Sequence, residues 1–166
     1  MLMLGSGTIV SGEAAHAEGS FTTASGIASH AEGINTASGE VAHAEGINTA
    51  SGEVAHAEGA GSIAIGTASH TEGTSTEARG QSSHAEREAT RAIGDFSHAE
   101  GGGSQASGES PHAKGNLTIS SGDFSRAKWR RTDTAMHMMK KGQFVLPDKS
   151  VQNQREFIHK LFGSAS

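Results

Sequence analysis

Through most of this chain small and large side chains alternate in runs of about five residues, and glycine bounds each run. Around the first histidines the flanking positions are small: Ala15 and Ala17, Ser29 and Ala31, Ala42 and Ala44. A second set of runs holds alanine at Ala24, Ala37, Ala50, Ala64, Ala78, Ala92 and Ala106. A period of two belongs to extended strands, whose successive side chains point to opposite faces, and not to helices. The pattern predicts short strands with Ala, Ser and Thr lining a narrow interior and with His and Glu on the other surface.

The strands recur at a fixed interval. Histidine stands at His16, His30, His43, His56, His70, His84, His98 and His112, in steps of 14, 13, 13, 14, 14, 14 and 14 residues. Glycine keeps the same steps four residues earlier, at Gly12, Gly26, Gly39, Gly52, Gly66, Gly80, Gly94 and Gly108, and once more at Gly122. The unit reads T-x-A-x-G-x-x-S-H-A-E-G, with identical copies at Ile34–Gly46 and Ile47–Gly59. Two residue types held in phase over so many units exclude random low complexity. Two glycines per unit suggest two turns, because glycine enters positive φ without steric cost. One unit is then one coil of a parallel β-roll.

Such a coil has a thin core. Burying an Ala or Ser side chain contributes about 1 kcal/mol or less at ~25 cal/mol per Å², and ordering each residue costs about as much. A single roll is marginal, and side-by-side association of several rolls would supply the missing burial. Ile27, Ile34, Val41, Ile47, Val54, Ile63, Ile65 and Ile93 are the residues available for it.

Composition sharpens this picture. Of 166 residues 23 are glycine, 34 % are hydrophobic and only 4 % aromatic, too few large side chains for a thick core. The absence of cysteine excludes a disulfide scaffold and thiolate chemistry. No signal-peptide pattern and no apolar run of membrane-spanning length occurs, so neither export nor membrane insertion is expected. The net charge of −5 is divided: residues 1–125 hold 4 of 13 Lys+Arg and 15 of 18 Asp+Glu, or −11, and residues 126–166 carry +6. The chain is therefore expected to comprise a repeat domain over 1–128 and a basic segment over 129–166.

The S-H-A-E-G repeat, and Ser62-Ile63-Ala64-Ile65-Gly66 in particular, resembles the head repeat of the YadA-like trimeric adhesins; similar arrays occur in phage tail and spike proteins. The resemblance covers roughly residues 5–128. It implies a left-handed parallel β-roll, three chains about a common axis and a role in attachment. The neck, coiled-coil stalk and β-barrel anchor of the adhesins are not recognisable, which favours a virion or tail component assembled in the host cytoplasm over a bacterial surface adhesin.

The histidine series invites a metal reading, since His and Glu bind zinc. A tandem array repeats whatever its unit contains, however, and the expectation is a ladder of His–Glu and His–backbone hydrogen bonds at a subunit seam, with no metal and no cofactor. Catalysis is not expected either: Ser29 and His30, as strand neighbours, point to opposite faces. Calcium-binding nonapeptide repeats need an aspartate series that is missing here. Thr36, Thr49 and Thr90 hint at the Thr ladder of ice-binding helices, but Gly and Ile interrupt it. Arg87 stands where the unit has glycine, so a local distortion or a wider turn is expected there.

Toward the end Arg126 takes the histidine register and Lys128 the glutamate register, as in a terminal coil. Trp129, Arg130 and Arg131 follow as a candidate cap over it. Ser150 can cap a helix reaching Phe162, with Val151, Ile158 and Phe162 on one stripe and Phe157 and Leu161 beside it. The basic segment lacks the aromatic interleaving of a nucleic-acid module, and an acidic partner protein suits it better. The expectation is an all-β left-handed parallel β-roll solenoid of about nine coils, trimeric and non-enzymatic. It would serve as a fibre, spike or decoration protein of a virion, acting as rigid shaft or attachment tip, with another virion or tail protein docked on the basic segment. The alternative is an adhesin head fragment on the bacterial cell surface that binds host protein or glycan.

Overall fold

The computed structural model describes residues 2–128. Contacts divide the chain into two units, Met1–Trp129 and Arg130–Ser166. The cap residues Trp129, Arg130 and Arg131 and the helix-contact residues Val151, Phe157, Ile158, Leu161 and Phe162 lie outside the described residues.

The described part is an all-β parallel solenoid of about nine coils, without helices. Each coil carries a longer strand that opens on the histidine, such as His16–Ser20, His70–Thr74 or His98–Gly102, and a two-residue strand such as Thr23–Ala24 or Gln105–Ala106. In His43–Ala50 and His56–Ala64 the two pieces run on as one strand. Every pairing is parallel, and equivalent residues stand in register: His16 opposite His30, Ala17 opposite Ala31, Glu18 opposite Glu32. Each coil thus hydrogen-bonds to the next, and backbone groups that a single two-residue strand would leave unpaired find partners above and below.

The interior is as narrow as the alternation predicts. Ala17, Ala24, Ala31, Ala37, Ala44, Ala50 and their equivalents are fully buried, whereas the intervening side chains face out. Some buried hydroxyls are satisfied inside the roll, Thr22 Oγ1 donating to the Gly33 carbonyl at 2.9 Å and Thr76 Oγ1 to Ser62 Oγ at 2.8 Å, whereas those of Ser29, Ser69, Thr71 and Ser97 have no partner among the described residues.

The two 13-residue steps have a physical cause. Most coils turn after the longer strand through a residue at positive φ, for instance Phe21 (φ 54°) or Ser75 (φ 56°). The coils at Ile34 and Ile47 are one residue shorter there and place an asparagine inward. Asn35 Oδ1 accepts the Asn48 N–H at 3.1 Å, and Asn48 Oδ1 accepts the Ser62 N–H at 2.9 Å. A side-chain amide thereby bridges successive coils where the shorter loop does not.

Gly12, Gly26, Gly39, Gly52, Gly66, Gly80, Gly94, Gly108 and Gly122 do lie at turns, but not for the reason that sequence suggests. None is in the left-handed region; that conformation falls two residues later, at Ala28 (φ 53°), Val41 (φ 56°) or Phe96 (φ 55°). There the backbone N–H is aimed at the preceding coil, as in Val41 N–H to the Ile27 carbonyl at 2.8 Å. Glycine is required instead by close approach. A Cβ at Gly39 would lie 1.9 Å from the Gly52 carbonyl oxygen, and the column from Gly12 to Gly94 is equally tight.

The second glycine column, Gly19, Gly33, Gly46, Gly59, Gly73 and Gly101, combines both demands, with φ between 99° and 124°, and Gly115 continues its torsion at φ 128°. Arg87 occupies this column at φ 84°. Of the two alternatives expected there, the turn does not widen: Arg87 stays in register between Gly73 and Gly101, and the misfit is a local distortion held as backbone strain of about 1–3 kcal/mol.

These columns make a paired prediction. Gly39→Ala should destabilise the protein by about 3 kcal/mol or more, because backbone must move to admit the methyl group. Arg87→Gly should stabilise it by roughly 1 kcal/mol by releasing the strain. Thermal unfolding of both variants against the parent checks the opposite signs.

Candidate functional site

The most distinctive surface is the outer face of the longer strands. In-register stacking turns His16, His30, His43, His56, His70, His84, His98 and His112 into one column, with ring centroids 4.8 Å apart at each of its seven steps. Planes are within 24° of parallel except between His30 and His43, which tilt by 48°. Two residues further along each strand the glutamates form a parallel column, which changes to Lys114 and Lys128 in the last two coils.

The partnering of the columns changes along the roll. Toward the N-terminal end Nε2 lies nearest the glutamate of its own strand, at 3.6 Å for His16–Glu18 and 3.8 Å for His30–Glu32. Toward the other end it reaches the glutamate of the preceding coil, at 3.3 Å for His98–Glu86 and 3.0 Å for His112–Glu100. Between these regimes the Nε2 atoms of His56, His70 and His84 are shut off from solvent and have no hydrogen-bond partner among the described residues.

Charge follows the same division. Lys114, 2.7 Å away, together with His112 holds the Glu100 carboxyl at about 2, against its burial. On the short-strand side burial pushes Glu77 up, but Arg79 and Arg91 outweigh it and hold the carboxyl below the usual range. Glu72 has no such partner among the described residues, and burial together with the Glu86 and Glu58 carboxyls pushes it up. Burial and the neighbouring imidazoles lower His30, His56 and His84.

Large apolar side chains lie elsewhere. Phe21, Ile34, Ile47 and Leu117 stand exposed on the edge that follows the longer strand, and Ile27, Val41, Val54, Phe96 and Phe124 on the opposite edge. Ile9, Ile63, Ile65 and Ile119 face out from the short strands, and Ile93 is half-buried among them. From His16 to Lys128 the histidine face carries no large apolar residue among those described. Sequence reasoning misses Phe21, Phe96, Leu117 and Phe124, which break the repeat and so are invisible to a search for recurring residues; their turn positions are the available signal.

The chain is therefore a parallel β-solenoid whose outer faces are chemically distinct: a stacked His–Glu face, and two edges and a short-strand face that expose apolar residues. Comparison with protein-family models and with curated protein sequences returns no match.

The histidine column makes stability depend on pH. His30, His56 and His84 titrate below their ordinary 6.5 in the folded chain, so the unfolded chain binds more protons through that window. Their contribution is complete above pH 6.5 and is lost as the pH falls from 6.5 through the lowered folded values. The raised Glu72 acts in the opposite direction, but about its own, more acidic range. Calorimetry should find a melting temperature several degrees lower at pH 5 than at pH 7.5; equal values would show imidazoles free of one another.

Proposed function

We propose that this chain is the protomer of a trimeric structural protein, a fibre, spike or decoration protein of a virion, in which the solenoid is a rigid shaft or attachment tip and no reaction is catalysed. The observation that carries this reading is the placement of exposed apolar residues on both edges of a roll whose own core is mostly alanine, serine and threonine. Phe21 and Leu117 are about three-quarters exposed on one edge, and Phe124 equally so on the other. One chain alone leaves these side chains in water, at a loss of about 1.5–3 kcal/mol each relative to full burial.

Different patches on two opposite edges suit a heterologous contact, in which one edge of each chain meets the other edge of its neighbour. Such contacts close into a ring when the rotation permits, and three is the number that the S-H-A-E-G resemblance to YadA-like heads implies. The short-strand face with Ile63 and Ile65 would then turn toward the axis, and the polar histidine face outward, in place of the subunit seam that the sequence led one to expect for it. The −11 charge of residues 1–125 keeps assembled shafts apart, and the +6 segment over 126–166 offers an acidic virion or tail protein a docking surface. Assembly in the host cytoplasm follows from this role. The same resemblance supports a second reading, an adhesin head on a bacterial surface whose outward face binds host protein or glycan.

Sedimentation equilibrium should give three times the chain mass of 16.9 kDa, and Ile47→Lys with Val54→Lys should reduce it to the monomer. A parent protein that sediments as a monomer removes the basis of the proposal. Recovery of the chain in purified virus-like particles supports the virion role, and its recovery on intact bacterial cells supports the adhesin.

A further inference from the structure

We propose that His70, Glu72 and His84 bind one divalent cation of the zinc class, which joins two successive coils of the roll. The site is independent of how the chains assemble. One ligand atom from each residue, two imidazole nitrogens and a carboxylate oxygen, lies within 4.8 Å of the other two. Among the described residues no other group of three His, Asp or Glu side chains comes together in this way. His70 and Glu72 come from one strand and His84 from the next coil, so the set exists only because the coils stack in register.

The donors are also unengaged. Nε2 of His70 and Nε2 of His84 are closed to solvent without a hydrogen-bond partner, a condition that disfavours the fold unless something binds them. Glu72 Oε1 is 4.0 Å from His84 Nε2, beyond hydrogen-bond reach. Toward the C-terminal end of the column the equivalent atoms are occupied, His98 being bonded to Glu86 and His112 to Glu100; His56 Nε2 is unpartnered as well, but no set of three ligands forms around it among the described residues. Glu100 also has Lys114, and Glu77 has Arg79 and Arg91, whereas among the described residues no Lys or Arg pairs with Glu58, Glu72 or Glu86. Three stacked carboxylates that no Lys or Arg neutralises among the described residues, next to the unpartnered nitrogens of His70 and His84, provide both the charge and the ligands that a cation requires.

The donor set selects the metal. Two imidazoles and one carboxylate are characteristic of zinc, while calcium and magnesium take oxygen donors throughout. Bond lengths of about 2.0–2.2 Å require the three donors to draw together by roughly 1 Å. Ring rotation supplies that movement, and the 48° tilt between His30 and His43 shows that this column accommodates it. At His16 and His30 the partner carboxylates are more than half exposed and remain hydrated.

The test uses the full chain without an affinity tag, stripped with chelator and titrated with zinc chloride by calorimetry, with cobalt chloride absorption as a second readout. The expected result is one tight zinc per chain, a tetrahedral cobalt spectrum and a raised melting temperature. His70→Gln, Glu72→Gln and His84→Gln should each weaken binding at least tenfold, and His16→Gln should leave it unchanged. His137→Gln with His159→Gln, outside the described residues, should also leave it unchanged. No zinc uptake, equal loss with His16→Gln, or loss only with the His137 and His159 variants would each overturn the proposal. Because the Glu72→Gln side chain is isosteric, it keeps the test decisive even where a histidine variant folds poorly.

Discussion

Everything in this molecule depends on how closely one coil lies on the next. Strands in a parallel sheet sit about 4.8 Å apart, and turns normally splay away from that spacing because their side chains need room. Here two columns of glycine, one through Gly39 and one through Gly46, let the turns stack as tightly as the strands. The carbonyl oxygen of the next coil occupies the space that a methyl group would otherwise fill. Equivalent residues are then held one above another through the whole roll, and every outward position becomes a column. The histidine stack, the glutamate stack and the rows of exposed isoleucine and valine are consequences of that spacing.

Columns intensify whatever chemistry the unit holds. An alanine in register with alanine gives a dry but shallow core, which leaves the stabilising apolar surface to the edges. A histidine in register with histidine gives a continuous stack, in which burial and the neighbouring imidazoles disfavour protonation of His30, His56 and His84, and a glutamate over glutamate gives repulsion that must be neutralised. The chain neutralises it with Lys114 at one end and by spacing and solvent at the other. Among the described residues, the middle, around Glu72, is left without a cationic partner.

Much of this fold is legible in the amino-acid sequence. The steps of 13 and 14 residues set the coil, and alternation about His30 correctly places Ala31 inside and Glu32 outside. The role of Gly39 is not legible, because composition shows that glycine recurs and not whether torsion or contact demands it. Arg87 reads as a defect in the turn, yet the hydrogen bonds on both sides hold its register and confine the cost to one torsion. Asn35 and Asn48 give no warning of their bridging role, which depends on an inward position created by a deleted residue. The meeting of His70, Glu72 and His84 depends on side-chain directions across two coils, and no spacing within a single unit encodes that.

The most direct measurement of the central claim is the distance between successive histidine rings, read by through-space magnetisation transfer in protein labelled only at histidine. In-register stacking predicts transfer along an unbroken chain from His16 to His112, each ring centroid 4.8 Å from the next. Absence of transfer between residues such as His56 and His70, in a folded sample, would contradict the stacked solenoid itself.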